Sequence, residues 1–573
     1  MRRQLEEAED RAREAFLGIK VCDPAMGSGH FLVNAVDRLT DGIIQRMQVY
    51  HDSHRDVPWE RNPVQQLIER VRGEILAEME RQGLSVDPAR LDDTALLTRL
   101  VMKRCIYGVD LNRLAVELAK LSLWLHSFTV GAPLSFLDHH LRWGNSLIGS
   151  DVRTVEAAMR DTQAGIFESI GNVRQFSLFA GPFAALLTLT VTMIEVVERA
   201  DTTLADVRQS AEEFARFQEH LVPFKQVLDL WVSRAFGNKA ADDLLTVHGD
   251  QVLPALQGQV PVTDEHRAAI DNARRLWQEK RFFHWDLEFP EVFVDLHRGD
   301  WAANPGFDAV VGNPPYVRQE QLSPNKRWFR QAFAVYHGVA DLYAYFYEQG
   351  VRLLRHGGFL GMITSNKFLR AGYGQPLRAF LAGEAELQEL VDFGHAPIFQ
   401  DADTFPCIAL LQKPDPGRQE GADVRVCPFP REALGTVELA SYVDENAYGV
   451  PLARLGGEPW NLERPEVRAL MDKIRQAGIA LREFAGTAPY RGIVTGLNEA
   501  FLIDKAARDR LIAADPRSAE VIHPYLRGQD IKRWMPEWAE LWMLFIRRGA
   551  DIDAYPAITV SYTHLTLPTS FSV

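Results

Sequence analysis

A chain of 573 residues can hold two to four domains and a sizeable core. Its net charge of −14 excludes a generally basic nucleic-acid coat but not a locally basic cleft, because binding follows where charges sit. Cys22, Cys105, Cys407 and Cys427 show no CxxC or zinc spacing, so they read as reduced, buried thiols of a cytoplasmic protein, and no metal site is expected.

In chain order, the opening MRRQLEEAEDRAREAF reads as a charged helix without the apolar run of a signal peptide. Ile19 to Cys22 follow as a short strand, stopped by Asp23-Pro24, and Gly27-Ser28-Gly29 form a tight loop ahead of a helix over Phe31 to Asp37. A strand, a glycine-rich turn and a helix make a nucleotide-cofactor corner at the carboxyl end of a parallel sheet. No Lys-Ser/Thr follows the loop and the dinucleotide form of GxGxxG is absent, which disfavours a phosphate-cradling loop. Residues 41–100 read as a helical insertion broken by Pro58, Pro63 and Pro88. Cys105 to Asp110 are a second strand ending in a carboxylate. Asp110 is placed for ribose hydroxyls, a role compatible with capping the helix from Asn112 to Ser127. Asn145, in Gly144-Asn145-Ser146, is either a reader of an adenine edge or a turn residue, and the segment alone weighs the two equally.

Residues 151–281 interrupt the pattern as a helical insertion. Asp201 is expected to cap a helix carrying Leu204, Val207, Ala211, Phe214, Phe217 and Leu221. The uncharged stretch from Gln175 to Ile194 contains Gly181 and Pro182, and reads as buried rather than membrane-spanning. Phe282 to Phe293 then lead back to a buried strand, Phe307 to Gly312, that runs into Asn313-Pro314-Pro315-Tyr316. Two prolines end the strand and make the turn rigid. The Asn313 amide and the Pro314 carbonyl can accept hydrogen bonds from one amino group, and Tyr316 can stack on the base that carries it. For the tetrapeptide alone, a plain proline-rich turn stays open. Gly358 to Thr364, Leu390 to Phe393 and Ile408 to Leu411 read as further strands, the last two flanking a loop with Phe399 and Phe405. From residue 415 to about 560 a separate domain is expected. There Arg527, Lys532, Arg533 and Trp534 form a basic-aromatic cluster suited to phosphates and bases, with a solvated surface as the alternative.

DPAMGSGHFL, YGVDLN, WGNSL, GNPPY, ITSNKF, DFGHAPIFQDADTFPCIALL and GIVTGLNEAF resemble, in that order, the motifs of adenine-specific DNA methyltransferases of the gamma class, particularly those of type IIG restriction-modification and phage-defence systems. The resemblance covers residues 20–150 and 282 to about 534. It implies an α/β, Rossmann-like methyltransferase sheet in two halves, 1–150 and 282–414, with helical insertions and a partial α+β target-recognition domain over 415–560. It implies S-adenosylmethionine as cofactor, held by Asp23, Pro24, Ala25, Gly27, Gly29 and Phe31 at its methionine end, Asp110 at the ribose and Asn145 at the adenine. Catalysis would fall to Asn313, Pro314, Pro315 and Tyr316, with Phe399 stacking on an adenine extruded from double-stranded DNA and Phe405 packing. Arg527, Lys532 and Arg533 would contact DNA. Other subunits of a defence system are implied as partners, and no membrane. The rival readings are a glutamine-methylating protein methyltransferase, since NPPY also grips that amide, methylation of the cytosine amino group, and a non-catalytic DNA-binding fragment. The family's order places another cofactor motif upstream of DPAMGSG, and Ser561 to Ser570 resemble a translated sequencing adapter. A fragment with a non-native tail over 561–573 is therefore expected, with weakened cofactor binding.

Overall fold

The computed structural model describes residues 16–55, 58–84, 87–158, 193–247, 249–295, 298, 300–394, 398, 405–417, 423–486, 501–546 and 551–559. They fall into two units divided between Arg468 and Ala469.

The first unit is built on a nine-stranded mixed sheet. Its strands are β1 (Val21–Asp23), β2 (Ile106–Asp110), β3 (Leu141–Trp143), β4 (Phe307–Gly312), β5 (Leu354–Ser365), β6 (Glu386–Asp392), β7 (Pro406–Gln412), β8 (Val424–Pro428) and β9 (Tyr448–Val450). Across the sheet they run β3-β2-β1-β4-β5-β7-β6-β8-β9. β7 is antiparallel to both neighbours and β9 to β8, while the other pairs are parallel. Alternate residues of the central strands feed two separate cores. Cys22, Tyr107, Val109, Phe307 and Val310 lie in one, whereas Val21, Ile106 and Leu141 lie in the other. A sheet buried on both faces needs apolar residues at nearly every position, which is why these strands read as continuous apolar runs.

Helices α1 (His30–Ser53), α2 (Pro63–Arg81), α3 (Asp93–Cys105) and α4 (Arg113–His126) cover the second of these faces. α1 runs unbroken through residue 41 to Ser53. Between β3 and β4, α5 (Leu204–Ser233) and α6 (Asp264–Lys280) build their own apolar core. The cap of α5 is Thr203, which forms a reciprocal capping box with Asp206. Asp201, expected in that role, is instead buried. It pairs with Lys103 and accepts hydrogen bonds from the Phe136 N–H and the Ser210 hydroxyl, because two segments distant in sequence converge on it beside α5. Of the uncharged stretch 175–194, only Met193 and Ile194 lie within the described residues, and Met193 is buried. β8 and β9 extend the sheet to residue 450, so the first unit passes well beyond the expected boundary at 414.

The second unit has a three-stranded antiparallel sheet, in the order β10 (Leu502–Ile503), β14 (Leu541–Leu544), β11 (Ile522–Tyr525), and a small hairpin of β12 (Ile531–Lys532) and β13 (Met535–Pro536). All four cysteines are buried and free. Among the described residues, no helix is long and apolar enough to cross a membrane, and no cluster of three or more His, Cys, Asp or Glu could hold a metal ion.

Candidate active site

β1 leads outward to β2 and β3, while β4 flanks it on the other side. The chain therefore reverses direction across the sheet between β1 and β4, and the crevice at their carboxyl ends is where open α/β sheets take ligands. Asp23 ends one of these strands and Gly312 the other. A Cβ on Gly312 would stand 3.2 Å from Asp23 Oδ1, so the two strand ends are in close contact.

The glycine loop is held by backbone bonds. Met26 N–H donates to the Val109 carbonyl at 3.1 Å and Gly27 N–H to Asp110 Oδ2 at 2.9 Å. Gly29 has φ +83° and enters α1, and a Cβ there would meet Ala119 of α4 at 3.1 Å. Only glycine combines that backbone angle with that approach. Gly27, at φ +54°, faces open space. Phe31 follows, 42 % exposed.

Asp23 is buried, with one carboxylate oxygen accepting from Ala25 N–H at 2.9 Å. Burial above all, aided by the nearby charge of Asp110, pushes its carboxyl up to about 7. Asp110 has two structural duties: one oxygen holds Gly27 and the other accepts from Asn112 N–H at 2.7 Å. A carboxylate has lone pairs for further donors, so these bonds leave room for a ligand hydroxyl. Leu111, next in the chain and 56 % exposed, offers a flat apolar surface that sequence reading passed over, because exposure of one residue leaves no mark on periodicity.

Asn145 serves as a turn residue. Its side-chain oxygen accepts from Leu147 N–H at 3.1 Å and its own N–H donates to the Arg281 carbonyl at 2.7 Å. Among the described residues, its side-chain nitrogen has no hydrogen-bond partner, so both readings of this residue survive in one side chain. Its loop is clamped by the returning chain. A Cβ on Gly149 would lie 1.8 Å from the Phe283 carbonyl oxygen, and one on Gly144 would lie 2.3 Å from the Phe283 ring.

At the end of β4, Pro314 is buried and Pro315 exposed, and Val317 N–H closes the turn onto the Pro315 carbonyl at 2.9 Å. The Pro314 carbonyl is thus left out of the turn's own bonding. Asn313 Oδ1 is buried and, among the described residues, has no hydrogen-bond partner. A buried carboxamide oxygen without a donor costs about 1–3 kcal/mol, a cost relieved when a ligand supplies the donor. Burial pushes the Tyr316 phenol up to about 12, so it stays neutral across the working range of pH.

Next to this turn, a cleft of about 650 Å³ opens at the ends of β5, β6 and β8, lined by Asn366, Lys367, Arg370, Tyr373, Asp392 and Phe405 among others. Asn366 donates to Asp392 at 2.8 Å and the Lys367 ammonium lies 5.6 Å from the Phe405 ring. Phe399 lies outside the described residues. In the second unit the expected basic cluster divides. Arg527 is bound to Asp530 at 2.8 Å, with the Asp530 carboxylate almost wholly buried, while the Arg527 side chain itself stays about a third exposed. Lys532, Arg533 and the 92 % exposed Trp534 stand at the tip of the β12–β13 hairpin.

The family model described as Eco57I restriction-modification methylase matches residues 104–399, more than half of the chain. The chain belongs to the Eco57I restriction-modification methylase family. Its family match takes in Asp110, Asn145 and Asn313 to Tyr316, and a model for the DNA-methyltransferase domain of MmeI matches residues 2–140, which include the glycine loop. Among curated proteins, this Eco57I-family chain is 33 % identical over 281 residues to the type II methyltransferase M.PaeR7I of Pseudomonas aeruginosa, covering 46 % of this chain and 47 % of that protein. It is 31 % identical over 278 residues to the type II methyltransferase M.XhoI of Xanthomonas vasicola, covering 46 % and 49 %. The chain thus spans about half the length of these relatives. A solved structure of the type IIL restriction-modification enzyme MmeI in complex with DNA aligns with 98 % of this chain and 50 % of its own, at 11 % identity and a TM-score of 0.39.

Proposed function

We propose that this chain carries the catalytic portion, and part of the recognition portion, of an S-adenosylmethionine-dependent DNA methyltransferase that modifies the exocyclic amine of adenine in restriction-modification or phage defence. The observation that carries the reading is the Asn313 carboxamide oxygen, buried and, among the described residues, without a donor, just past the end of β4. Asn313 and the Pro314 carbonyl accept the two amine hydrogens and draw the nitrogen out of conjugation with its ring, which makes it a nucleophile. Tyr316 holds the base outside the duplex, with Phe399 as the second ring in this reading.

The crevice fits the cofactor. Asp23 and Asp110 repel one another beside an open glycine loop, and a cationic methionine end relieves that repulsion. Bound S-adenosylmethionine supplies an electrophilic methyl group on a sulfonium. Asp23, Pro24, Ala25, Gly27, Gly29 and Phe31 line its methionine end in this reading. Asp110 accepts from the ribose, Leu111 packs on the adenine ring and the Asn145 side-chain nitrogen donates to its edge. Double-stranded DNA is the substrate, with Lys532 and Arg533 reaching its phosphates.

Methyl transfer from tritiated S-adenosylmethionine to unmodified duplex DNA tests the proposal. Asn313→Ala should reduce it to background while cofactor affinity and melting temperature hold. Undiminished transfer by that variant, or labelling of a glutamine-bearing peptide in place of DNA, overturns the reading.

A further inference from the structure

α4 is apolar on two opposite faces. Val116, Ala119 and Leu123 are buried against the sheet. On the far side Leu114, Leu118, Leu121, Leu125 and, just past the helix, Phe128 are between 43 % and 69 % exposed. Their intervals are four, three, four and three residues, the repeat of a helix seam that receives knobs from a partner helix. A helix hydrophobic on all sides is ordinarily buried on all sides. Val130 and Leu134, which follow the helix, are also exposed, and a row of large exposed apolar side chains marks an interaction site more often than scattered single ones do.

The charges at its edges choose between occupants. Glu117 and Asp138 share the single ammonium of Lys120, and Asp37 pairs with His126; all three carboxylates are about half exposed. Arg113, at the N-terminal end, is stacked over Trp143. A second copy docked about a two-fold axis would set this acidic rim against itself. A helix with basic flanks would meet it with opposite charge.

We propose that this face of α4 is the docking seam for an amphipathic helix of another polypeptide, with large apolar residues at alternating four- and three-residue intervals and lysine or arginine beside them. The seam takes the helix knobs-into-holes, and the acidic rim selects the basic flanks and sets their register. None of its residues belongs to the crevice at Asp23 and Asn313, so this site stands apart from the proposed reaction.

The test uses the full chain and a fluorescein-labelled synthetic peptide of three heptads with leucine at the seam positions and lysine beside them, read by anisotropy. The expected result is saturable binding that falls by about tenfold or more in Leu118→Asp/Leu125→Asp, a loss in the range of interface hot spots. That variant should melt at the wild-type temperature, since both side chains are exposed. A glutamate-flanked peptide should bind at least as weakly as the variant binds the lysine peptide. Equal binding of both peptides, or unchanged binding by the variant, overturns the proposal. So does self-association in ultracentrifugation that the variant abolishes, which makes the occupant a second copy. Binding that appears only after removal of residues 2–15 overturns it in favour of the chain's own N-terminal segment. If the variant misfolds, Leu121→Lys, which repels the basic flanks, replaces it with the same expectation.

Discussion

At the proposed site, the carboxamide of Asn313 and the carboxyl of Asp23 are two groups whose surroundings make chemical demands. Asp23, raised to about 7 by burial, keeps its proton in the free protein below that pH. A cationic ligand is met by the ionised form, so binding expels the proton. Affinity for S-adenosylmethionine should therefore weaken as pH falls from about 7.5 to 5.5, by up to about tenfold per unit below the raised value. Asp23→Asn should bind more weakly and with a flat pH profile. Calorimetry across that range checks it, and a wild-type profile as flat as that of the variant would show that Asp23 does not titrate on binding. At Tyr316 the neutral ring, not the hydroxyl, is expected to matter. Tyr316→Phe should keep activity within a few-fold, while Tyr316→Ala loses the roughly 1–3 kcal/mol of a base stack. Competition binding to duplexes carrying a mismatch at the target separates the two.

Among the elements, the loop after β3 shows how a chain interrupted by a long helical insertion comes back to its sheet. Phe283 N–H donates to the Ile148 carbonyl at 2.8 Å, and Gly144 and Gly149 leave the space that the Phe283 ring and carbonyl fill. Gly149→Ala would drive a methyl into that carbonyl. Overpacking of this kind costs about 1–3 kcal/mol, to be read as a lower denaturant midpoint with an unchanged slope. Of these two glycines, only Gly144 was visible in the sequence as part of a turn. Their partner was not, because Phe283 lies more than a hundred residues away and nothing local records the approach. The same holds for α5: its apolar spacing was legible, whereas its cap was misplaced by two residues. Asp201 has the right chemistry for a cap, but a buried lysine has a stronger claim on it.

For the whole molecule, a net charge of −14 sits with an exposed basic tip on the second unit. Duplex affinity should fall on Lys532→Ala/Arg533→Ala, and the slope of log affinity against log salt should shrink by about 0.9 for each phosphate that is no longer neutralised. Arg527→Ala should leave that slope unchanged and instead loosen the turn at Gly528–Asp530, seen as faster hydrogen exchange there. A salt slope altered by Arg527→Ala alone would place that residue at the DNA surface. The placement of the unit boundary belongs to this scale too. β8 joins the first sheet by pairing with β6, 36 residues earlier in the chain, and β9 joins through β8, so composition near residue 414 gave no sign of continuity.

The sequence by itself determined the strand, turn and helix of the glycine loop, the rigid Asn313-Pro314-Pro315-Tyr316 turn and the family to which the chain belongs. These rest on covalent restriction: glycine permits φ above zero, and proline forbids a backbone donor wherever it stands. Only the tertiary structure decided that β1 and β4 are neighbours, that Asp23 is buried beside Gly312, that Arg527 is tied to Asp530, and that α4 carries a second apolar face open to solvent. Each of those depends on which distant residues share a surface. Burial, ion pairing and exposure are properties of that neighbourhood and not of the residue that displays them.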